Sequence, residues 1–499
     1  MTTILLTGIP KSGKTDLIQK TQQLLRDSME QEVGNISLGN LVAEEAHRLW
    51  NTPLDRIHKV DAENQQALRD YAIAETAYRL ATSQTPSSIV DTPMSMCLQN
   101  GNVYDTIFNH GQIEKLAQAA KGIEYIVTLI DDPEEMSRKL ENTSYPSEIP
   151  RILDWTAQEV GITRATRPIT AAGKTSRYLV IPKEHSDTTL AKLLVDPNPP
   201  ILYLGFPITH LEKDARKEVI NFISQMQEYA AIIVPMTIAD QRVGEEKERE
   251  NTIYRDKHWF ATDCDMFGGF FPRDVLSLGW LEEFRKTQRT GKPSFLIRPS
   301  RKDKKKETFN VDTTLKRYDS PEEFFAAIAK SRDSKYDNTP NALLRRFLDP
   351  SQKEPIPRYA NLQPFAVAAV IQNQQGQFLL GRQAQGKKFE GHYTPVTGKR
   401  EVKDEKLETV ERAIQREAWE EVGVRLHEIS SDFQIHPTDY GNVKYVRFYR
   451  AQHDGQPRAD NSTTHPELED LKWMTRAEIL SGKHKIMPAT QNYFKNLEK

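Results

Sequence analysis

Cysteine is nearly absent from the chain: Cys97 and Cys264 are the whole supply in 499 residues. Two thiols cannot build a disulfide framework or, by themselves, a zinc site, and such usage suits a reducing compartment. A surplus of one charge is also missing. Lys and Arg total 68 against 70 Asp and Glu, so there is no general electrostatic reason for binding nucleic acid or an anionic membrane. Long hydrophobic runs are lacking too, none approaching the ~20 residues that span a bilayer. The opening MTTILLTGIPKSGKT passes from a short strand into a glycine loop without the features of a signal peptide. The expected location is therefore cytoplasmic. At 499 residues the chain exceeds one ordinary core and should hold about three domains.

What is abundant is clustered acid near the C-terminus, where Gly398 to Val424 reads GKREVKDEKLETVERAIQREAWEEVGV. Leu407, Val410, Ile414 and Ala418 recur at three- or four-residue steps, which predicts an amphipathic helix. Glu417, Glu420 and Glu421 then stand at i, i+3 and i+4 and share one face. Like charges so close destabilise an ordinary solvated helix. A hard divalent cation resolves the conflict, because it takes oxygen ligands and shares them with substrate phosphates. The spacing points to Mg²⁺, or Mn²⁺, on these three acids.

The segment resembles the Nudix box, whose pattern is Gly, five residues, Glu, seven residues, then Arg-Glu-apolar-any-Glu-Glu-any-Gly-apolar. Glu408 and Arg416 to Val424 match in order and spacing; Gly398 lies nine residues before Glu408, so the loop is four residues longer than the pattern. The resemblance implies a hydrolase that splits the pyrophosphate of a nucleoside diphosphate derivative, with Glu408, Arg416, Glu417, Glu420 and Glu421 as its catalytic set. Metal ions on Glu417, Glu420 and Glu421 would neutralise the pyrophosphate and activate a water. Glu408 would ligate or orient, and Arg416 would pair with a neighbouring carboxylate; the general base stays open. The implied fold over residues 358–499 is an α/β/α sandwich with a mixed sheet. Phe365–Ile371 and Phe378–Arg382 read as two antiparallel strands around the turn Asn373–Gly376.

At the other end, Thr3–Thr7 reads as a buried parallel strand and Asp16–Leu25 as a helix. Between them Gly8-Ile9-Pro10-Lys11-Ser12-Gly13-Lys14-Thr15 satisfies GxxxxGK[ST] in a strand–loop–helix setting. Glycines there let backbone N–H groups curl around phosphate oxygens. Gly8, Ser12 and Gly13 would shape that cradle, Lys14 would reach the β/γ-phosphates and Thr15 would ligate Mg²⁺. Asp91 ends a second core strand, where a ligand to the metal's water would sit. With the Asn35–Asn40 stretch and the strand running into Asp131-Asp132-Pro133, residues 1–195 resemble the P-loop nucleoside monophosphate kinases of the archaeal adenylate kinase type. That resemblance implies ATP in the loop and a second nucleotide nearby. The candidate lid offers only Arg138, Lys139 and Arg151, with Arg164 and Arg167 farther on, so an ATP-binding module without phosphoryl transfer is the rival reading.

Asp196-Pro197-Asn198-Pro199-Pro200 is a stiff, turn-forming boundary. The α/β pattern that follows, over 196–300, resembles the nucleoside 2-deoxyribosyltransferase superfamily, a second Rossmann-like domain. On that resemblance Gly205, Ser277 and Gly279 would bind nucleotide, Asp256 and Asp265 would orient sugar or base, and Glu283 would act at the anomeric carbon. Residues 301–357 read as a linker with helices; its basic run Arg301–Lys306 lacks interleaved aromatics and reads as solvated. The partners implied are small-molecule nucleotides, with no nucleic acid and no membrane; oligomeric state is left open. The chain thus reads as an α/β multidomain protein: a Nudix hydrolase fused to an ATP-binding kinase-like domain, in nucleotide or NAD metabolism. The alternative is a nucleotide-sensing protein whose first two domains bind without catalysis and control the third.

Overall fold

The computed structural model describes residues 2–51, 60–97, 104–108, 110–166, 176–184, 186–207, 213–234, 259–273, 278–298, 315–331, 339–346, 348, 356–403, 406–440, 443–458 and 467–497. They fall into two compact units: residues 1–26 with 31–348, and residues 27–30 with 349–499. The chain is a mixed α/β multidomain protein, with two five-stranded parallel sheets and a small antiparallel pair, Ser95–Cys97 with Tyr104–Thr106, in its N-terminal part and a mixed sheet in its C-terminal part.

The first unit holds two five-stranded parallel sheets. In one, the spatial order is Val33–Ser37, Ser87–Asp91, Thr2–Thr7, Tyr125–Ile130 and Arg177–Pro182. Ser87–Asp91 and Tyr125–Ile130 are buried along their whole length. Strands covered on both faces need apolar runs instead of alternation, which is why these stretches stand out in the sequence. Their carboxyl ends point to one edge, where open α/β sheets place their ligands.

The second sheet runs Lys316–Tyr318, Ser294–Ile297, Met266–Phe270, Ile201–Gly205, Ala231–Ile233. Its central strand, Met266–Phe270, carries two glycines and gives no strand signal in the sequence. The glycines are there for space: a Cβ on Gly268 would lie 2.5 Å from Phe295, and one on Gly269 would lie 2.6 Å from Trp280. The segment expected to join domains contributes to this sheet's core. Tyr318, Phe324, Ile328, Leu344 and Leu348 pack with Phe222, Phe270 and Phe295, since an edge strand and two short apolar helices are stable only against a partner surface.

The C-terminal unit centres on Phe365–Ile371, flanked by Val396–Lys399 antiparallel and Val443–Asp454 parallel. Phe433–Tyr440 and Arg425–His427 pair with the latter strand. A second, antiparallel sheet runs Tyr393–Thr394, Phe378–Gln383, Leu468–Met474. The expected hairpin of Phe365–Ile371 with Phe378–Arg382 is therefore corrected. The turn forms, with Asn373 Oδ1 accepting from Gln375 N at 3.0 Å and Gln377 N at 2.9 Å. Past the single bridge Gln372–Phe378 the strands part into different sheets. Phe365–Ile371, buried throughout, already has both of its edges taken.

Candidate active site

The acid-rich helix spans Val410–Val422 and is bounded at both ends by its own sequence. Thr409 Oγ1 accepts from Arg412 N at 3.3 Å, a side-chain N-cap. Gly423, at φ 66°, closes the C-terminus with its N–H on the Ala418 and Trp419 carbonyls. Val410, Ala413, Ile414, Ala418 and Val422 are buried. Leu407 and Glu408 lie outside this helix, correcting the longer helix that the apolar spacing predicts. The additional loop residues form a small hairpin, Val402–Lys403 with Lys406–Leu407. Its base is closed by Glu408 N on Glu401 O at 2.8 Å and Arg400 Nε on Glu408 O at 2.6 Å. The insertion is thus absorbed, and Glu408 still reaches the helix.

Arg416 is the hub of the site. Its guanidinium reaches Glu408 Oε2 at 3.0 Å, Glu417 Oε1 at 2.9 Å, Glu420 Oε2 at 3.0 Å and the Lys399 carbonyl at 2.8 Å. Glu421 turns elsewhere: its Oε2 accepts from Thr397 N at 3.2 Å, and its buried Oε1 has no hydrogen-bond partner. Gly398 earns its place in the pattern, because a Cβ there would lie 1.8 Å from the Glu417 carboxylate. Burial pushes Glu417 up to about 7, with Arg416 opposing and the charges of Glu420 and Glu467 adding. Burial, then Glu417 and Glu467, hold Glu421 well above the carboxylate range. At Glu408 burial acts upward too, but Arg416 and the Glu401 N–H prevail and keep it below its ordinary value.

Among the described residues no group of three or more His, Cys, Asp or Glu stands in metal-holding geometry; Arg416 engages Glu417 and Glu420 while Glu421 faces Thr397. The donor set nonetheless fits a hard divalent ion. It is carboxylate oxygen only, and the Glu421 oxygen without a donor is what a cation or a proton would satisfy. Glu417, Glu420 and Glu421 are the residues that would hold it. Two neighbours escape the sequence reading, Glu467 and Lys387, which pair at 2.7 Å. Both act on Glu421 electrostatically. They arrive through the pairing of Phe378–Gln383 with Leu468–Met474, and no local pattern marks them.

In the first unit the Gly8–Thr15 loop borders a cavity of about 570 Å³, shared with Ser37, Asp91, Lys139 and Lys183. Gly8 (φ 143°) and Gly13 (φ 92°) take backbone conformations that favour glycine. Lys14 Nζ donates to the Gly8 and Ile9 carbonyls at 2.6 and 3.3 Å and lies 4.0 Å from Asp91. Burial raises Asp91, with Lys14 and Ser37 opposing. Ser12 is buried under the loop and Thr15 is exposed at the start of the helix Lys14–Met29. Unforeseen is Glu159, fully buried on the helix Ile149–Ala165. Its carboxylate accepts from Gly8 N (2.9 Å), Met94 N (2.9 Å), Ser95 N (2.8 Å) and Ser95 Oγ (2.6 Å). One side chain thereby holds the loop to the segment after Asp91.

In the second parallel sheet the expected residues divide. Gly205 and Glu283 meet at the carboxyl end of Ile201–Gly205: Tyr203 Oη donates to Glu283 Oε2 at 3.0 Å, and a Cβ on Gly205 would lie 3.3 Å from that oxygen. Glu283 is buried, and Gly279 opens its helix, Leu278–Arg289. Asp265 sits at the opposite end, accepting from Ile201 N and from Arg177 at 2.8 Å each. It ties strands together where it was expected to orient a ligand, because its position precedes Met266–Phe270 and Glu283 lies beyond the carboxyl ends. Asp256 and Ser277 lie outside the described residues.

A twisted mixed sheet carrying this arginine-bound acidic helix defines a Nudix fold. Residues 362–497 match the family model of the NUDIX domain, and the C-terminal part of the chain is a Nudix domain, of a hydrolase class typically acting on nucleoside diphosphate derivatives. No curated protein matches the chain. Among solved structures, it is similar to a MutT NUDIX hydrolase from Burkholderia pseudomallei, at 23% identity and TM-score 0.23, over 27% of this chain and 98% of that one. It is also similar to a MutT protein from Methanosarcina mazei, at 22% identity and TM-score 0.21, over 26% of this chain and 88% of that one. A third is a MutT structure from a study of Aliivibrio salmonicida and Vibrio cholerae, at 23% identity and TM-score 0.21, over 26% and 94%.

Among the described residues no helix is long and apolar enough to cross a membrane. Cys97 and Cys264 are both buried, and neither forms a disulfide.

Proposed function

We propose that the chain hydrolyses the pyrophosphate of a nucleoside diphosphate derivative at its Nudix domain, with Mg²⁺ or Mn²⁺ on Glu417, Glu420 and Glu421. One observation carries the reading: Glu421 presents a buried carboxylate oxygen with no donor, beside Glu417, inside an arginine-held acidic site. When bound, the cation supplies charge neutralisation of the pyrophosphate and a more acidic water. Arg416 orients Glu408 and Glu417, and Gly398 leaves room for the Glu417 carboxylate. The N-terminal part is proposed as an ATP-binding, kinase-like module with its phosphates on Gly8–Thr15.

Product analysis tests this directly. Purified chain with Mg²⁺ is given ADP-ribose, NAD, dinucleoside polyphosphates and nucleoside triphosphates, beside a Glu420→Gln/Glu421→Gln variant. Monophosphate products that vanish in the variant are the expected result; no cleavage by the wild type across the panel sinks the proposal. The nucleotide-sensing alternative draws support from the middle sheet, where Glu283 is buried against Tyr203 and Trp280 packs so close that a Cβ on Gly205 would lie 2.7 Å from it. Under that reading Lys14→Ala changes Nudix turnover and removes no phosphotransfer product.

A further inference from the structure

The sequence offers Lys139 among the few cations of the candidate lid, and the structure sets beside it Lys183, which no motif marks. Asp131, whose side chain is only 4% exposed, follows the strand Tyr125–Ile130. Its Oδ2 accepts from Lys139 Nζ at 2.7 Å and from Lys183 Nζ at 3.3 Å. Lys139 comes from the helix Pro133–Leu140, and Lys183 follows the strand Arg177–Pro182. Lys183 lies across the phosphate loop itself, since a Cβ on Gly13 would be 2.9 Å from its Cε and 3.4 Å from its Nζ. Both lysines line the same cavity as Lys14 and Thr15. Arg138, the arginine that the sequence offers for this role, is 71% exposed and pairs with Glu135 at 2.6 Å.

Two ammonium groups share one oxygen of Asp131, with Glu135 Oε1 a further 3.5 Å from Lys139, and together with Lys14 they bring three ammonium groups to one cavity. Like charges so placed repel unless a further anion joins them. Lysine suits this role as a compact charge with rotatable donors for phosphate oxygens. Resting on the reading of Gly8–Thr15 as a nucleotide phosphate site, we infer that Lys139 and Lys183, positioned by Asp131, form a second phosphoryl-binding position on the same cavity as Lys14. The group it takes is either the terminal phosphate of the loop-bound nucleotide or the phosphate of a second, monophosphate nucleotide.

Calorimetric binding of ATP, ADP and AMP to the full chain with Mg²⁺ separates these sources. Lys183→Gln and Lys139→Gln are measured beside Lys183→Arg, with Lys14→Ala as the loop control and circular dichroism to check folding. A terminal-phosphate site predicts that the Gln variants weaken ATP at least ten-fold and leave ADP within two-fold. An acceptor site predicts a ten-fold loss for AMP with ATP and ADP unchanged. In either case Lys183→Arg retains most of the affinity. Gln variants that bind all three nucleotides within two-fold of wild type, while Lys14→Ala weakens ATP, overturn the lysine site and leave the loop reading standing. No binding by the wild type overturns both. Loss in the Gln variants with Lys14→Ala unaffected keeps the lysine site and removes the loop reading.

Discussion

Two regions of this protein are read as handling the same chemical group, phosphate, with opposite local charge. Around Gly8–Thr15 the chain provides its own cations, Lys14, Lys139 and Lys183, and the backbone N–H groups of a glycine loop. Around Val410–Val422 it gathers Glu408, Glu417, Glu420 and Glu421 with a single arginine as their common counter-charge. The first arrangement can meet a phosphate directly. The second needs an imported cation before any phosphate approaches, because a polyanion and a carboxylate cluster repel. Each also solves its buried-charge problem differently. Glu159 is fully buried yet takes four hydrogen bonds, whereas Glu421 is left one oxygen short. A satisfied carboxylate builds structure; an unsatisfied one is available for chemistry.

The strongest way to break that contrast is Glu159→Ala. It orphans the N–H groups of Gly8, Met94 and Ser95, at ~1–3 kcal/mol for each buried donor left unpaired, so urea unfolding of the first unit should shift by several kcal/mol. Glu421→Gln should behave in the opposite sense. Pyrophosphate hydrolysis should fall by about 10²–10³-fold, the scale of losing one charge-stabilising group in a site, while metal-free stability holds or rises. A Glu421→Gln variant as active as wild type would erase the distinction between the two carboxylates.

The pH dependence of stability separates the acid site from its background. His436, buried between Phe448 and Tyr493, is pushed down to about 4 from 6.5 by burial. A base depressed on folding contributes stability that is present above its unfolded value and lost as pH falls through the folded one. At ~1.4 kcal/mol per unit, His436 by itself contributes a slope of up to ~3 kcal/mol lost between pH 6.5 and 4, while Glu417, raised to about 7, takes up its proton over the same range and adds stability in the opposite sense. His436→Phe should flatten that slope in urea titrations without touching hydrolysis at neutral pH. Gly398→Ala should cost about 1–3 kcal/mol as an overpacked site, visible as a lower Tm with a matching loss of turnover. Least of all, Arg138→Ala should stay within ~0.5 kcal/mol, as exposed positions do, and leave ATP affinity unchanged.

Much of the fold was legible where local chemistry decides it. The helix Val410–Val422 has its cap residue, its closing glycine and its buried stripe in one contiguous run, and Tyr125–Ile130 and Arg177–Pro182 are apolar enough to be read directly. Legibility failed where a distant side chain sets the rule. Met266-Phe267-Gly268-Gly269-Phe270 is a central strand only because Phe295 and Trp280 fill the space that its glycines leave. Phe433–Tyr440 contains Pro437 and survives because it pairs on one side only, with Val443–Asp454. In the candidate site, Arg416 and its acids are neighbours in sequence and could be named from spacing. Glu467, Lys183 and Glu159 could not.

By itself, then, the order of residues determined the phosphate-loop motif, the acidic face at i, i+3 and i+4, and the caps that bound its helix. Those features rest on hydrogen bonds and spacings within a turn or two of chain. Tertiary structure alone decided that Arg416 engages Glu408, Glu417 and Glu420 while Glu421 turns to Thr397, that Asp131 holds Lys139 beside Lys183, and that Asp265 braces strands away from Glu283. These outcomes depend on which strands pair and which side chains lose water together. Burial and long-range pairing set those terms, and they do not exist until the chain has folded.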